Sequence, residues 1–240
     1  MFASMADFNH FLNHHSWPSR LSQSLKTLKQ YTVDFEVLSW SCPVITVAGT
    51  NGKGSVSSML ESIYLAQGYK VGLFTGPDLL KVNERIRYCG EDILDADLLY
   101  FAAQTYQEGL SFFAWMFFIA LLFFKSKTEL DLIILEVGIG GRCDCVNVLD
   151  SDVAVVTSLG LDHVDILGPT LSDIAREKAG VCRSGCPIVC GAADFPESFF
   201  EVVASHHSIP YVSGTDFSYN ETGDQWCWHS DTTTLDSLPQ

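Results

Sequence analysis

The sequence predicts a doubly wound, mainly parallel α/β sheet flanked by helices, with a C-terminal hairpin. Three observations carry this expectation. Short apolar, β-branched runs recur at 44–48, 70–74, 132–137, 152–157, 187–190 and 209–212, and helical patterns separate most of them. The run at 132–137 is continuously apolar rather than alternating, as in strands buried on both faces of a parallel sheet. Glycine-rich or acid-bearing segments follow several runs at their carboxyl ends, where open α/β sheets bind ligands.

Composition bounds the chemistry. The 240 residues suit one large domain or a little more, and 47% of them are hydrophobic, enough to bury a sizeable core. A net charge of −15 argues against a nucleic-acid partner, because contacts along a phosphate backbone need clustered Lys and Arg. It leaves room for a nucleotide, which a local cradle can hold: Lys53, Arg85, Arg87, Arg142 and Lys178 can make one region basic. The eight cysteines are expected as reduced thiols of a cytoplasmic protein, since Cys143-x-Cys145 and Cys182-x3-Cys186-x3-Cys190 match no common zinc spacing. No basic-then-apolar signal peptide opens the chain. Residues 110–124 are apolar apart from Ser111, yet as a helix they reach only about 22 Å against about 30 Å of hydrocarbon. They therefore predict a core helix and no membrane span.

Residues 1–40 are expected as an N-terminal helical segment packed on a domain formed by 41–240. Phe8, Phe11 and Leu12, then Leu21, Leu25 and Leu28, predict two short amphipathic helices broken near Pro18, with His14 and His15 as an exposed pair without a role. The strand at 44–48 runs into Gly49-Thr50-Asn51-Gly52-Lys53-Gly54-Ser55. Val56, Met59, Leu60, Ile63 and Tyr64 then recur at helical spacing up to Gly68. Strand, glycine loop and helix together make a phosphate cradle. Glycines let backbone N–H groups converge on an anion, the helix N-terminus adds positive potential, Lys53 adds a point charge, and Ser55 offers a hydroxyl to a phosphate-bound Mg²⁺. The match to G-x-x-x-x-G-K-[ST] is imperfect, with Val47 and Gly54 standing where Gly and Ser or Thr belong.

The strand at 70–74 leads through Thr75-Gly76-Pro77-Asp78 to Asn83-Glu84-Arg85-Ile86 and a hairpin turning near Gly90. A polar-faced helix is expected over 94–108, followed by the apolar helix from Leu110. Glu136 places a carboxylate at the ligand-binding end of the 132–137 strand; a salt bridge is its structural alternative. Gly138-Ile139-Gly140-Gly141-Arg142 then brings backbone close to whatever is bound. The 152–157 strand ends at Ser158-Leu159-Gly160-Leu161-Asp162-His163. Thr170 with Asp173 reads as an N-cap pair, and Gly180 as the C-cap, of a helix that contains Lys178. A helix about 196–206 joins the last two parallel strands, and 217–219 and 226–228 flank a turn at 220–224.

Four blocks in this order resemble the folylpolyglutamate synthase/dihydrofolate synthase family of the Mur-ligase superfamily. They are G-T-N-G-K-G-S at 49–55; Thr75 and Pro77 with Glu84-Arg85-Ile86; E-V-G-I-G-G-R-C-D at 136–144 with Asn147; and D-H-x4-G-x-T running into I-A-R-E-K-A-G at 162–180. Leu110-Ser111-Phe112-Phe113-Ala114 is similar to the family's L-T-Y-F-E. The resemblance implies an ATP-dependent amide ligase that adds L-glutamate to dihydropteroate or folates through an acyl phosphate, in folate biosynthesis, with Mg²⁺. It implies that Gly49, Thr50, Asn51, Gly52, Lys53, Gly54 and Ser55 hold the nucleotide, and that Glu136, His163 and Ser55 hold metal. Ser111, Phe113, Arg142 and Asp144 would hold the substrate. Lys53, His163 and Lys178 would serve catalysis, Lys178 as a carbamate. Four positions depart from the pattern: Gly76 replaces a metal-binding serine, Asp78 replaces a histidine and is an oxygen donor that could serve instead, Ala114 replaces an acid, and Cys143 replaces a leucine. The family's chains continue into a second α/β domain, so this chain is expected to be incomplete at its C-terminal end, and to act as a monomer on small molecules. Two other readings stay open. One is a catalytically inactive nucleotide- or pterin-binding remnant. The other is a Mur-type ligase acting on a cell-wall precursor, against which the loop G-K-G-S speaks.

Overall fold

A computed structural model describes residues 2–17, 21–106 and 108–239. In chain order its elements are α1 (Met5–His14), α2 (Leu21–Asp34), β1 (Val44–Ala48), α3 (Lys53–Ala66), β2 (Val71–Phe74), β3 (Ile86–Tyr88), β4 (Glu91–Asp92), α4 (Asp95–Thr105), α5 (Phe112–Lys125) and β5 (Leu132–Glu136). There follow β6 (Val153–Val156), α6 (Val164–Leu167), α7 (Leu171–Ala179), β7 (Pro187–Cys190), α8 (Glu197–Ser205), β8 (Ile209–Val212), β9 (Phe217–Thr222), β10 (Gln225–Ser230) and β11 (Thr234–Pro239).

The main sheet has eight strands in the order β4-β3-β2-β5-β1-β6-β7-β8. All neighbours from β2 to β8 pair in parallel; β3 and β4 add an antiparallel edge. From the central β1 the chain moves first toward β2 and later, past β5, to β6 on the other side. Its crossovers therefore diverge at the carboxyl ends of β1, β5 and β6, where a doubly wound sheet opens a crevice.

Both faces of the sheet are covered, which explains why β1 and β5 bury every residue. On one face Ile45, Val47, Leu73 and Ile134 pack against Val56, Leu60 and Tyr64 of α3. These three lie four residues apart on one helix face. Met59 and Ile63, expected with them, are 64% and 59% exposed, because they flank the stripe that meets the sheet. The other face carries the larger core, centred on α5, where every residue from Ala114 to Phe124 except Leu122 is buried. A helix apolar all round must be covered all round, and β2, α2 and α4 do so. Each such side chain contributes about 1.5–3 kcal/mol on full burial. Among the described residues no helix is long and apolar enough to cross a membrane.

The two N-terminal helices form and bury Phe8 and Leu28 in this core. The break near Pro18 and the side chain of Leu21 lie outside the described residues. His15 is not a bystander: it stacks on Phe11 with centroids 4.8 Å apart and contacts Trp17. The C-terminal hairpin is β9 and β10, and β11 extends it to a three-stranded antiparallel sheet. Residues 234–239, with Asp236, Ser237 and Pro239 among them, lack the β-branched pattern that marks the other strands.

Candidate active site

β1 delivers the chain into the glycine loop, and the segment after β6 fixes its shape. Thr50 N–H donates to the Ser158 carbonyl at 2.9 Å and Asn51 N–H to Ser158 Oγ at 3.1 Å. Thr157 Oγ1 donates to the Asn51 carbonyl at 2.6 Å. Gly49 sits at φ +143°, and a Cβ there would fall 1.9 Å from Thr157 Oγ1. Gly52 occupies the N-cap of α3 at φ +84°, and no side chain caps the helix. The first-turn N–H groups of α3 therefore stay open to an anion, with the positive end of the helix dipole behind them. Lys53 Nζ donates to the carbonyls of Gly49 and Thr50, both at 3.1 Å. Ser55 is exposed on the same turn.

Glu136 ends β5 beside this loop and is 3% exposed. Its Oε2 accepts from Thr75 Oγ1 and, at 3.3 Å, from Gly76 N–H. A Cβ on Gly54 would lie 3.6 Å from the same oxygen, so the carboxylate abuts the first turn of α3. Among the described residues Glu136 has no cationic side-chain partner, which sets aside the salt-bridge alternative. Asp78 does not join it: Asp78 Oδ1 accepts from Arg85 Nε at 2.5 Å.

His163 starts α6 in the left-handed region at φ +48°, its Nε2 3.6 Å from Asp162 Oδ1. Among the described residues no group of three His, Cys, Asp or Glu gathers to hold a metal. A divalent ion at Glu136 would need further oxygens from a hydroxyl, water or phosphate, the manner in which Mg²⁺ commonly binds. All eight cysteines are free.

Lys178 comes from α7, whose Thr170–Asp173 capping box fixes its start. The side chain is 2% exposed, and Nζ donates to the Gly49 carbonyl at 2.8 Å. Burial first, and then the charge of Lys53, lower its pKa to about 8, while Asp162 and Asp144 pull it upward. Gly141 and Gly180 let the 138–142 loop lie against this helix. A Cβ on Gly141 would fall 2.8 Å from the Glu177 carbonyl, and one on Gly180 would fall 2.4 Å from Arg142 Cβ.

A pocket of about 210 Å³ opens next to Gly76 and Gly138, lined by Ser24, Arg85, Ser111, Phe113, Ile139 and Asp144. Ser111 caps α5 by accepting from Ala114 N–H at 3.2 Å, and its own N–H donates to Ser24 Oγ at 3.1 Å. Phe113 packs on Phe74 and closes onto Gly138, where a Cβ would fall 2.8 Å from its ring. Asp144 is 1% exposed and accepts from the N–H groups of Ile139 at 2.9 Å and Val146 at 3.0 Å. Burial outweighs these bonds and raises its pKa to about 6. Ser111, Phe113 and Asp144 thus come together. Arg142 stays outside their pocket, exposed and bound to Glu177, with Nε 3.0 Å from Oε1. A larger cavity of about 700 Å³ lies beyond Asp78 and Phe112, against α1.

The sequence gives no role to Thr157, Ser158 or Ser24, and it marks Arg85 as a basic residue without placing it in this pocket. The first two follow a strand on the switch side of β1, a position that is itself a signal. Ser24 belongs to a helix with no motif, so its place emerges only from packing.

Comparison with known proteins places these features in a family. Residues 47–187 match the Mur ligase middle domain. The chain is 42% identical over 200 residues to dihydrofolate synthase/folylpolyglutamate synthase of Escherichia coli strain K12, covering 82% of this chain and 47% of the relative. It is 43% identical over 154 residues to folylpolyglutamate synthase of Arabidopsis thaliana, covering 60% and 27%. It thus spans about half the length, or less, of the curated relatives it matches. Two solved structures are alike throughout. E. coli FolC in complex with DHPP and ADP has a TM-score of 0.92 at 36% identity, over 99% of this chain and 58% of that one. The bifunctional folylpolyglutamate synthase/dihydrofolate synthase of Yersinia pestis, complexed with AMPPNP and Mn, has a TM-score of 0.90 at 38% identity, over 99% and 58%.

Proposed function

The chain belongs to the Mur ligase family through its middle domain, and we propose that it is the ATP-binding part of a ligase joining L-glutamate to dihydropteroate or a folate. Residues 41–240 are the ATP-binding domain, and 1–40 are helices packed upon it. The observation that carries this reading is the uncapped N-terminus of α3, with Lys53 in its first turn and the Glu136 carboxylate against it. The relatives' names favour a folate substrate over a cell-wall precursor.

In this reaction an oxygen of the substrate carboxylate attacks the γ-phosphorus of ATP. The bond to the β-phosphate oxygen breaks, leaving ADP and an acyl phosphate. The glutamate amine then attacks the acyl carbon, loses a proton, and expels phosphate. The first-turn N–H groups of α3 and Lys53 hold the nucleotide's phosphates, with Lys53 leaving the loop carbonyls to do so. Glu136, together with Ser55 and His163, would hold Mg²⁺, which neutralises phosphate charge when bound. The carboxylate and hydroxyl oxygens among these residues suit such a hard ion better than a soft one. Lys178, buried with a lowered pKa, is suited to react with CO₂ as a neutral amine, and its carbamate would place an anion opposite Lys53. Ser111, Phe113 and Asp144 receive the ring end of the acid, while Arg142 acts through Glu177 on α7.

Titration of the chain with an ATP analogue and Mg²⁺, with and without dihydropteroate, alongside glutamate-dependent phosphate release, tests the proposal. Binding of nucleotide and dihydropteroate is the expected result, and turnover as well would mean that this part suffices. Binding without turnover fits a part of a longer ligase as well as the remnant reading, which Gly76 in place of the expected serine supports. Failure to bind nucleotide overturns both.

A further inference from the structure

We propose that Arg85 selects an anionic substrate group in the pocket that ends at Asp144, an inference that rests on the folate-type reading above. Among the described residues Arg85 is the one cation lining that pocket. Its side chain is 11% exposed, and Asp78 takes its Nε at 2.5 Å. The ring of Phe112 lies beneath the guanidinium, 5.0 Å from Cζ. Among the described residues its terminal Nη donors have no hydrogen-bond acceptor. These donors are free to meet an oxygen of a ligand, and a carboxylate matches the guanidinium fork best. Phe113 and Ile139 line the same apolar pocket, and Asp144 supplies its carboxylate. The pocket therefore fits a flat ligand with hydrogen-bond donors toward Asp144 and an anionic group toward Arg85.

Gly76 makes this placement possible. A Cβ at 76 would lie 2.7 Å from Arg85 Nη1, so a side chain there would make the guanidinium shift. Gly76 N–H also donates to Glu136, which sets the end of the pocket next to the carboxylate beside the phosphate loop. Gly76 thus leaves the guanidinium room, and Asp78 holds it.

The test is calorimetric titration of wild type, R85Q, R85K and G76S with dihydropteroate and with its carboxamide, which keeps the ring but lacks the charge. Wild type should prefer the acid by about tenfold or more, the range of a charge-assisted hydrogen-bonded pair. R85Q should lose that preference while still binding the carboxamide, R85K should restore part of it, and G76S, whose side chain crowds Nη1, should lower it less than R85Q does. Equal binding of the two compounds by wild type, or an undiminished preference in R85Q, overturns the role of Arg85. Binding of nucleotide but of neither compound overturns the folate-type reading, and the role of Arg85 with it.

Discussion

Lys53 and Lys178 donate to one oxygen: the Gly49 carbonyl accepts from Lys53 Nζ at 3.1 Å and from Lys178 Nζ at 2.8 Å. Two ammonium groups from different helices therefore converge at the mouth of the glycine loop. Burial first, and then the like charge of Lys53 so close by, lower the pKa of Lys178. An arriving polyphosphate relieves that repulsion by drawing Lys53 away. A carbamate on Lys178, as proposed above, would relieve it by reversing one of the charges.

Carbamate formation needs the neutral amine. With a pKa near 8, the neutral fraction of Lys178 rises through about pH 7 to 9, while an ordinary lysine stays protonated. In ¹³C-bicarbonate, NMR should show a carbamate signal that grows over this range and is missing from Lys178→Met. A spectrum unchanged by the substitution rules out Lys178 as the modified residue.

Gly49→Ala should cost about 2–4 kcal/mol, because the new methyl group meets Thr157 Oγ1 in a backbone region that suits only glycine. Urea denaturation measures this. A loss below about 1 kcal/mol would mean that the loop has room to shift.

Asp144 has a folded pKa of about 6 against an ordinary value of 3.8. Between these values the native state keeps a proton that the unfolded chain has released, so stability falls as pH rises from about 4 to about 6 and stays lower above. The full span is about 3 kcal/mol. Asp144→Asn removes this contribution, so its stability should decline less than that of wild type across the window. Parallel declines in the two proteins would contradict a buried, proton-holding Asp144.

Glu136→Gln keeps the volume and an acceptor for Thr75 but removes the charge. Nucleotide should still bind, while the gain in affinity on adding Mg²⁺ should fall by about tenfold or more. An undiminished Mg²⁺ effect would make Glu136 a structural residue only.

The parts of this arrangement that follow local rules are legible in the sequence. The runs at 44–48 and 132–136 are buried on both faces and say so by composition. Gly49 to Ser55 announces an anion loop, and Thr170 with Asp173 announces a helix start that the capping box provides. What stays hidden depends on partners far along the chain. Nothing near Asp78 signals that Arg85 takes its carboxylate, and nothing near Arg142 signals that Glu177 draws it outside the pocket. Met59 and Ile63 fit the helical period yet face outward, since period alone does not give the width of the stripe a sheet covers.

The most direct test of the account is calorimetric titration of wild type and Lys53→Ala with a non-hydrolysable ATP analogue and Mg²⁺. Lys53 lies in the first turn of an uncapped helix and its ammonium binds only loop carbonyls, so its loss should leave thermal stability nearly unchanged. The account predicts a wild type that binds the nucleotide and a variant weakened by about tenfold to a hundredfold. Equal affinity in the two folded proteins would contradict the phosphate cradle, and the function built upon it.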